Sequence, residues 1–239
     1  MTPPDIIIKH YITPYNAGYI RAHNRIPNID ESKHKIDFFF EDKPYKSLTM
    51  KDLKSLPTHE VMYCMRCAGH RRSEMSCFNP RIVGVNYGPF AISNVVFKGA
   101  RITEVLKFLG IKEEDVKDKH FVCSGADEDF IGDPVKVSVP MSHALDHKNE
   151  CMLAYAANGK PFPQDHGYPV RFLTPGYVGI RNCKWLCKVQ FSDKESNGRF
   201  QQRAYKVFKE KEWKDVDQNK YPPPMGHCLN SVICFPLSE

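Results

Sequence analysis

The stretch CMRCAGHRRSEM, residues 64–75, gathers an unusual set of reactive side chains within a 239-residue chain. It holds the thiols of Cys64 and Cys67, a glycine, His70 and the guanidinium groups of Arg66, Arg71 and Arg72. A thiolate beside fixed positive charge suits a soft metal or a nucleophilic reaction, because nearby cations favour the deprotonated sulfur and lower the thiol pKa. Adjacent arginines supply planar donor forks that can hold a small oxyanion. Two readings follow from these residues alone. One is anion handling next to a reactive thiolate; the other is a basic surface loop beside a strand, with a cysteine that is simply buried.

Composition narrows the partners. The formal net charge of +6 favours anionic ligands. The basic residues are scattered and form no stripe interleaved with aromatics, so nucleic acid is not the expected partner. Nine cysteines are an odd number in a chain too long to need disulfide staples, which suggests a reducing compartment with most thiols inert. No apolar run approaches the roughly 20 residues of a membrane span. The start, MTPPDIIIKHYITP, has neither the pattern of a secretory signal nor that of a transit peptide. The expectation is a soluble intracellular protein, cytoplasmic or mitochondrial.

Several elements must position these groups. Residues 1–30 read as irregular, except that YIRAHNRIP (19–27) places Arg21, His23 and Arg25 on one side of an extended chain. KIDFFFED (35–42) reads as a strand and turn, and LTMKDLKSLP (48–57) as a short helix with Thr49 as N-cap and Pro57 as stop. EVMYCMR (60–66) is a strand that delivers the chain into Ala68-Gly69, where glycine permits a sharp turn or a close approach. RITEVLKFL (101–109) is an amphipathic helix with Ile102, Val105, Leu106 and Leu109 on its core face and Gly110 as C-cap.

HFVCSGADEDFIG (120–132) reads as a strand entering an acidic loop; Asp127, Glu128 and Asp129 lack the ligand ladder of a calcium loop. VKVSVP (135–140) alternates as a half-buried strand, and CMLAYAANGKPFP (151–163) as a strand entering an Asn158-Gly159 hairpin turn. Two more strands flank a Pro175-Gly176 turn within 165–191. The Pro-rich tail from 213 onward is expected to wrap the surface, with LNSVICF (229–235) as a last strand. With no repeat, linker or shift in composition, residues 1–239 read as one α+β domain, mixed and strand-rich.

Taken in order, the motifs resemble those of the molybdopterin domain of the sulfite oxidase family. CAGHRRSEM resembles the signature CAGNRRSEM, and YIRAHNRIP is similar to an aromatic-x-Arg-Asn-His segment upstream of it. LAYAANGKPFPQDHGYPVR resembles LAYEMNG…DHGFPVR; TPGYVGIRNCKWL resembles PGVVGARxVKWL; QQRAYKVF resembles QRRDYKGF. The blocks keep the family's order and nearly its spacing across residues 11–235.

The resemblance implies a molybdenum–molybdopterin cofactor and oxygen-atom transfer, with sulfite oxidised to sulfate and a separate electron acceptor such as a cytochrome or oxygen. By matching position Cys67 is the implied thiolate ligand of molybdenum, a soft donor for a high-valent metal. Arg21, Arg72 and Tyr205 match the substrate pocket. His23, Asp127, His166, Arg171 and Lys184 match the positions that hold the pterin and its phosphate. Cys64 matches no ligand and is taken as structural.

The chain also departs from the pattern. His70 replaces the signature's asparagine, Ala22 an asparagine beside the pocket arginine, Tyr87 a tryptophan and Ala204 an acid. The family's haem domain and its C-terminal dimerisation domain, which supplies a further substrate arginine, are expected to lie outside residues 1–239. Other readings stay open: a reductase acting on nitrate or a sulfoxide, a degenerate member that binds cofactor or partners without activity, and a zinc module built on Cys64, Cys67, Cys183 and Cys187.

Overall fold

The computed structural model of the protein describes residues 1–79, 82, 84–128, 132–208 and 215–234. Near the start, where irregular chain is expected, a short helix forms instead: α1 (Pro4–Lys9) begins on a proline and carries Asp5 in its first turn, both suited to a helix N-terminus. A hairpin follows, β1 (Lys35–Phe40) and β2 (Lys43–Thr49), in which β2 is an exposed edge strand whose Pro44 masks it in the sequence. Thr49 then caps α2 (Met50–Ser55) through a capping box with Asp52, as its position before an apolar period predicts.

In β3 (His59–Arg66) burial alternates, with Val61, Tyr63 and Met65 inward and Glu60, Met62 and Cys64 outward. The cysteine loop leads into α3 (Arg72–Phe78), and β4 (Ile92–Arg101) runs directly into α4 (Ile102–Leu109). The four residues expected on the core face of α4 are each 1% exposed, and Gly110 caps it at φ 74°. Then come β5 (His120–Glu128), β6 (Pro134–Pro140), α5 (Met141–Leu145), β7 (Met152–Ala157), β8 (Lys160–Pro161), β9 (Arg171–Leu173), β10 (Leu186–Ser192) and α6 (Arg199–Gln202). Asn158 and Gly159 turn β7 into β8 with positive φ at both positions, as an Asn-Gly hairpin requires.

The strands form two five-stranded sheets. One has the order β2-β1-β10-β5-β6; the other runs β3-β4-β7-β8, with β9 also paired to β7. The pairings within each sheet are antiparallel except for β1 with β10, which are parallel and separated by most of the chain. A large core joins the first sheet to α4 and the inner face of the second, from Phe38, Phe121 and Phe191 to Leu153 and Phe172. A smaller one, with Tyr63, Met65, Phe97 and Phe162, covers the other side of the second sheet. This mixed architecture is α+β.

The tail is extended, as expected: Val178 N–H donates to the Met225 carbonyl, and Tyr177 bridges to Gly226. Residues 229–234 do not form the expected strand, since no neighbouring strand edge pairs with them. Phe235, Asp129 and Trp213 lie outside the described residues.

Candidate active site

The site grows out of the end of β3. Beyond Arg66 the backbone N–H of Cys67 donates to the Ala91 carbonyl at 3.0 Å, and Arg71 and Ser73 donate to Gly88 and Tyr87 at 3.1 and 3.0 Å. The loop is thus laddered against residues 87–91, and α3 starts from Arg71 in a left-handed conformation, φ 63°. This geometry separates residues that look alike in sequence. Cys67 is 7% exposed and lines a cavity, whereas Cys64 is on the outward face of β3. Arg71 is engaged by Glu74 at 2.7 Å and by Asn230 and Ser231 of the tail at 2.9 and 2.6 Å; Arg72 turns to an open cleft.

Two adjoining spaces meet at Cys67. The inner cavity is lined by Asp127, His166, Arg171 and Lys184 among others. The outer cleft is lined by Arg72, His70 and Tyr87. Arg21, His23, Cys67 and Tyr205 face both and form the neck between them. The structure therefore brings together all nine residues that the motifs single out. They come from elements far apart in sequence: the loop at 19–25, the end of β3, the start of α3, β5, the turn between β8 and β9, the start of β9, the turn before β10 and the turn after α6.

At the neck, Arg21 Nη2 and His23 Nδ1 are 3.0 Å apart, and His23 Nε2 meets the Tyr205 hydroxyl. His23 also packs on Phe200, ring centroids 4.4 Å apart. Burial, then the charge of Arg21, pushes the His23 pKa down to about 4, so the ring is neutral at physiological pH. Tyr205 sits at φ 58°, and burial raises its phenol pKa, keeping the hydroxyl a donor. The Cys67 thiol departs from the simple expectation. Arg72 and Arg21 do favour its thiolate, as does the Gly69 N–H at 3.4 Å, but desolvation outweighs all three and the pKa is raised. Without a bound cation this sulfur keeps its proton; a metal would displace it.

The inner cavity has an unusual wall. Arg171, 5% exposed, donates to the His166 and Asn182 carbonyls at 3.2 Å each and lies over Phe97 and Phe162, but its Nε has no partner. Asp127 is 2% exposed with Oδ1 unpartnered; burial pushes its pKa up to about 6, against the pull of nearby Lys184. Lys184 donates to the Asp165 carbonyl at 2.7 Å, and burial, then Arg171, brings its pKa down to about 7. His166 bonds the Asp165 carboxylate through Nδ1 at 2.8 Å and leaves Nε2 unpartnered. Asn24 Nδ2 and both ring nitrogens of His70 are likewise buried without a partner.

Buried donors and acceptors are normally satisfied. A cavity edged by two cations, an imidazole nitrogen and a carboxylate oxygen fits a large polar ligand that carries both an anionic group and ring N–H donors. That donor set, with a thiol at its neck, fits a pterin phosphate and a soft metal. Several lining residues escaped the sequence reading. Asp165 anchors His166 and Lys184, Met65 accepts from Arg171 at 3.4 Å, and half-buried Tyr19 sets its hydroxyl against Gly179. Tyr19 and Asn24 flank Arg21 and His23 within YIRAHNRIP, which is the one signal that could have found them. The zinc alternative gains no geometry: among the described residues no group of three or more His, Cys, Asp or Glu converges as a metal site.

Known proteins place this arrangement. Mitochondrial sulfite oxidase of Drosophila melanogaster is 34% identical over 235 residues, covering 98% of this chain and 40% of that protein. Sulfite oxidase of Arabidopsis thaliana is 32% identical, covering 97% of this chain and 61% of that protein. The NADH nitrate reductase of Ulva prolifera is 29% identical over 93% of this chain and 25% of its own length. The chain thus spans about two-fifths to half of the length of the animal relatives. The crystal structure of the sulfane dehydrogenase SoxCD from Paracoccus pantotrophus shares the fold, with a TM-score of 0.77 at 23% identity, over 98% of this chain and 55% of that one. Residues 23–200 match the profile of the oxidoreductase molybdopterin binding domain. Cavity chemistry and profile agree, and the chain belongs to the oxidoreductase molybdopterin binding domain family, whose cofactor is molybdenum–molybdopterin.

Proposed function

We propose that this chain oxidises sulfite to sulfate at a cysteine-ligated molybdenum–pterin centre. The observation that supports this best is the sorting of side chains about Cys67: polar groups without partners in the inner cavity, arginines and a phenol at the neck and in the cleft. When bound, the metal would supply the transferred oxygen and accept the electron pair. The protein's own work is to bind and orient. Cys67 would ligate the metal as thiolate, its proton leaving to solvent. Arg171, Lys184 and His166 would hold the anionic and acceptor groups of the pterin, Asp127 its N–H donors, and His23 its near edge.

Arg21 and Arg72 would hold the sulfite oxygens so that the sulfur lone pair faces the centre, with charge-assisted bonds roughly twice as strong as neutral ones. Tyr205 would donate its hydroxyl to an oxygen of the substrate or product. A separate acceptor, a cytochrome or oxygen, would take up the electron pair. No described helix is long and apolar enough to cross a membrane. The free thiols and the mitochondrial relatives support a reducing cytoplasmic or a mitochondrial setting.

The test is elemental analysis with sulfite turnover, ferricyanide as acceptor, for wild type beside Cys67→Ser. The expected result is molybdenum in the wild type, and in the variant a fall in turnover beyond the roughly 10–100-fold that an outer-shell partner contributes. Unchanged turnover in Cys67→Ser would refute the ligand assignment. The Ulva prolifera relative favours a second reading, reduction of nitrate. A loaded protein that reduces nitrate and leaves sulfite untouched would replace the first reading with it.

A further inference from the structure

Arg72 is held in an unusual seat. Its guanidinium lies close against two glycines, Gly69 of the cysteine loop and Gly84 of the segment that returns past it. A Cβ added at Gly69 would stand 2.9 Å from Nη2 and 3.0 Å from Cζ of Arg72. A Cβ at Gly84 would stand 2.6 Å from Nη1 and 2.9 Å from Cζ. The same segment supplies the acceptor that fixes the plane, since Arg72 Nη1 donates to the Val85 carbonyl at 3.0 Å. It is also tied to the start of α3, where the Tyr87 carbonyl accepts from both the N–H and the Oγ of Ser73, each at 3.0 Å. Among the described residues Arg72 has no carboxylate partner, whereas Arg71 beside it is engaged by Glu74. The fork is thus oriented by contact and one carbonyl, with its charge left to the cleft.

We infer that Gly84 is a positioning residue for anion specificity, acting through Arg72: its missing side chain leaves room for the guanidinium in the cleft that Cys67 also lines. The inference rests on the sulfite reading for its substrate but not for its geometry. Gly84 also sits at φ +127°, where an L side chain is strained, so substitution there combines strain with collision. Gly159, at φ +75° in the β7–β8 turn with nothing within 4 Å of an added Cβ, serves as a positive-φ control without collision.

The experiment uses molybdenum-loaded protein: wild type, Gly84→Ala, Arg72→Met, the double variant and Gly159→Ala. Sulfite KM and kcat are measured per molybdenum, and inorganic sulfate affinity by direct titration. Gly84→Ala is expected to raise KM and weaken sulfate binding by about 10–100-fold, with kcat at saturating sulfite within a few-fold of wild type. In the Arg72→Met background the same substitution should cost much less in both, because the fork it would strike is gone and only the strain at Gly84 remains. Gly159→Ala should match wild type.

An equal cost of Gly84→Ala with arginine or methionine at 72 would make its role merely structural and overturn the proposal. So would unchanged sulfate affinity in Gly84→Ala, or no sulfate binding by the wild type. If Gly84→Ala fails to load molybdenum, recovery of loading in the double variant supports the collision, and failure in both refutes it. A wild type that turns over no sulfite while its sulfate affinity still depends on Gly84 removes the sulfite reading and leaves this one standing.

Discussion

The core face of α4 and the Arg171–Asp127 part of the inner cavity wall are both buried, yet they are built on opposite terms. Ile102, Val105, Leu106 and Leu109 are each 1% exposed and present no polar atom; every apolar Å² they bury contributes to folding, at about 25 cal/mol. Arg171 and Asp127 are 5% and 2% exposed and hold a guanidinium Nε and a carboxylate oxygen with no partner. Desolvating such groups without hydrogen bonds works against folding. One region is finished by the chain itself. On the function proposed above, the other is finished by a ligand that brings the missing donors and acceptors, with folding free energy given up there for binding.

Truncating the finished region should give the largest effect. Leu106→Ala leaves a hole beneath α4 and should destabilise the protein by about 2–5 kcal/mol, with cofactor affinity unchanged in the fraction that stays folded. Urea unfolding of wild type and variant checks it; a loss under about 1 kcal/mol would mean that the helix is not the apolar keystone its burial indicates. Arg171→Met should act the other way. The methionine can lie against Phe97, Phe162 and Met65, removing a buried cation whose pKa burial already brings down to about 10. The cofactor-free variant is expected to be more stable by about 1–4 kcal/mol while molybdopterin retention is lost. A cofactor-free Arg171→Met protein less stable than wild type would show that the chain satisfies Arg171 on its own, and the contrast between the two regions would fail.

The same contrast explains what could be read from the sequence. The α4 face and the Asn158-Gly159 turn follow local rules, a 3.6-residue period and a turn needing positive φ, so their residues declare themselves. The start of α3 does not. Arg71 occupies the N-cap without being a capping type of residue or making a side-chain capping bond; the Gly88 and Tyr87 carbonyls accept the N–H groups of Arg71 and Ser73 there, a contact sequence order cannot display. Strand β4 is hidden by its bulge, where Gly99 lets β4 approach β7 so closely that a Cβ would meet the Leu153 carbonyl at 2.2 Å and the alternation of side chains breaks. At the site, motif order identified nine residues that the fold does converge. The desolvation that keeps Cys67 protonated, and the division of labour between Arg71 and Arg72, depend on depth and distance and exist only in three dimensions.

The smallest expected effect is the most diagnostic, because it varies with pH. Asp127 titrates at about 6 in the folded chain against an ordinary value of 3.8, chiefly through burial. A carboxyl with a raised folded-state pKa contributes stability that is complete below its unfolded pKa and is lost as pH rises through the folded value. Asp127→Asn keeps the shape and removes the charge. Below about pH 4 the cofactor-free wild type and variant should have similar stability, since both side chains are neutral there. Between about pH 4 and 7 the variant should gain steadily on wild type, reaching roughly 1–2 kcal/mol at neutral pH once neighbouring Lys184 is allowed for. Chemical denaturation across that range measures the difference. A difference that stays flat with pH would mean that Asp127 already has its partners in the empty cavity, and that the wall is as finished as the α4 core.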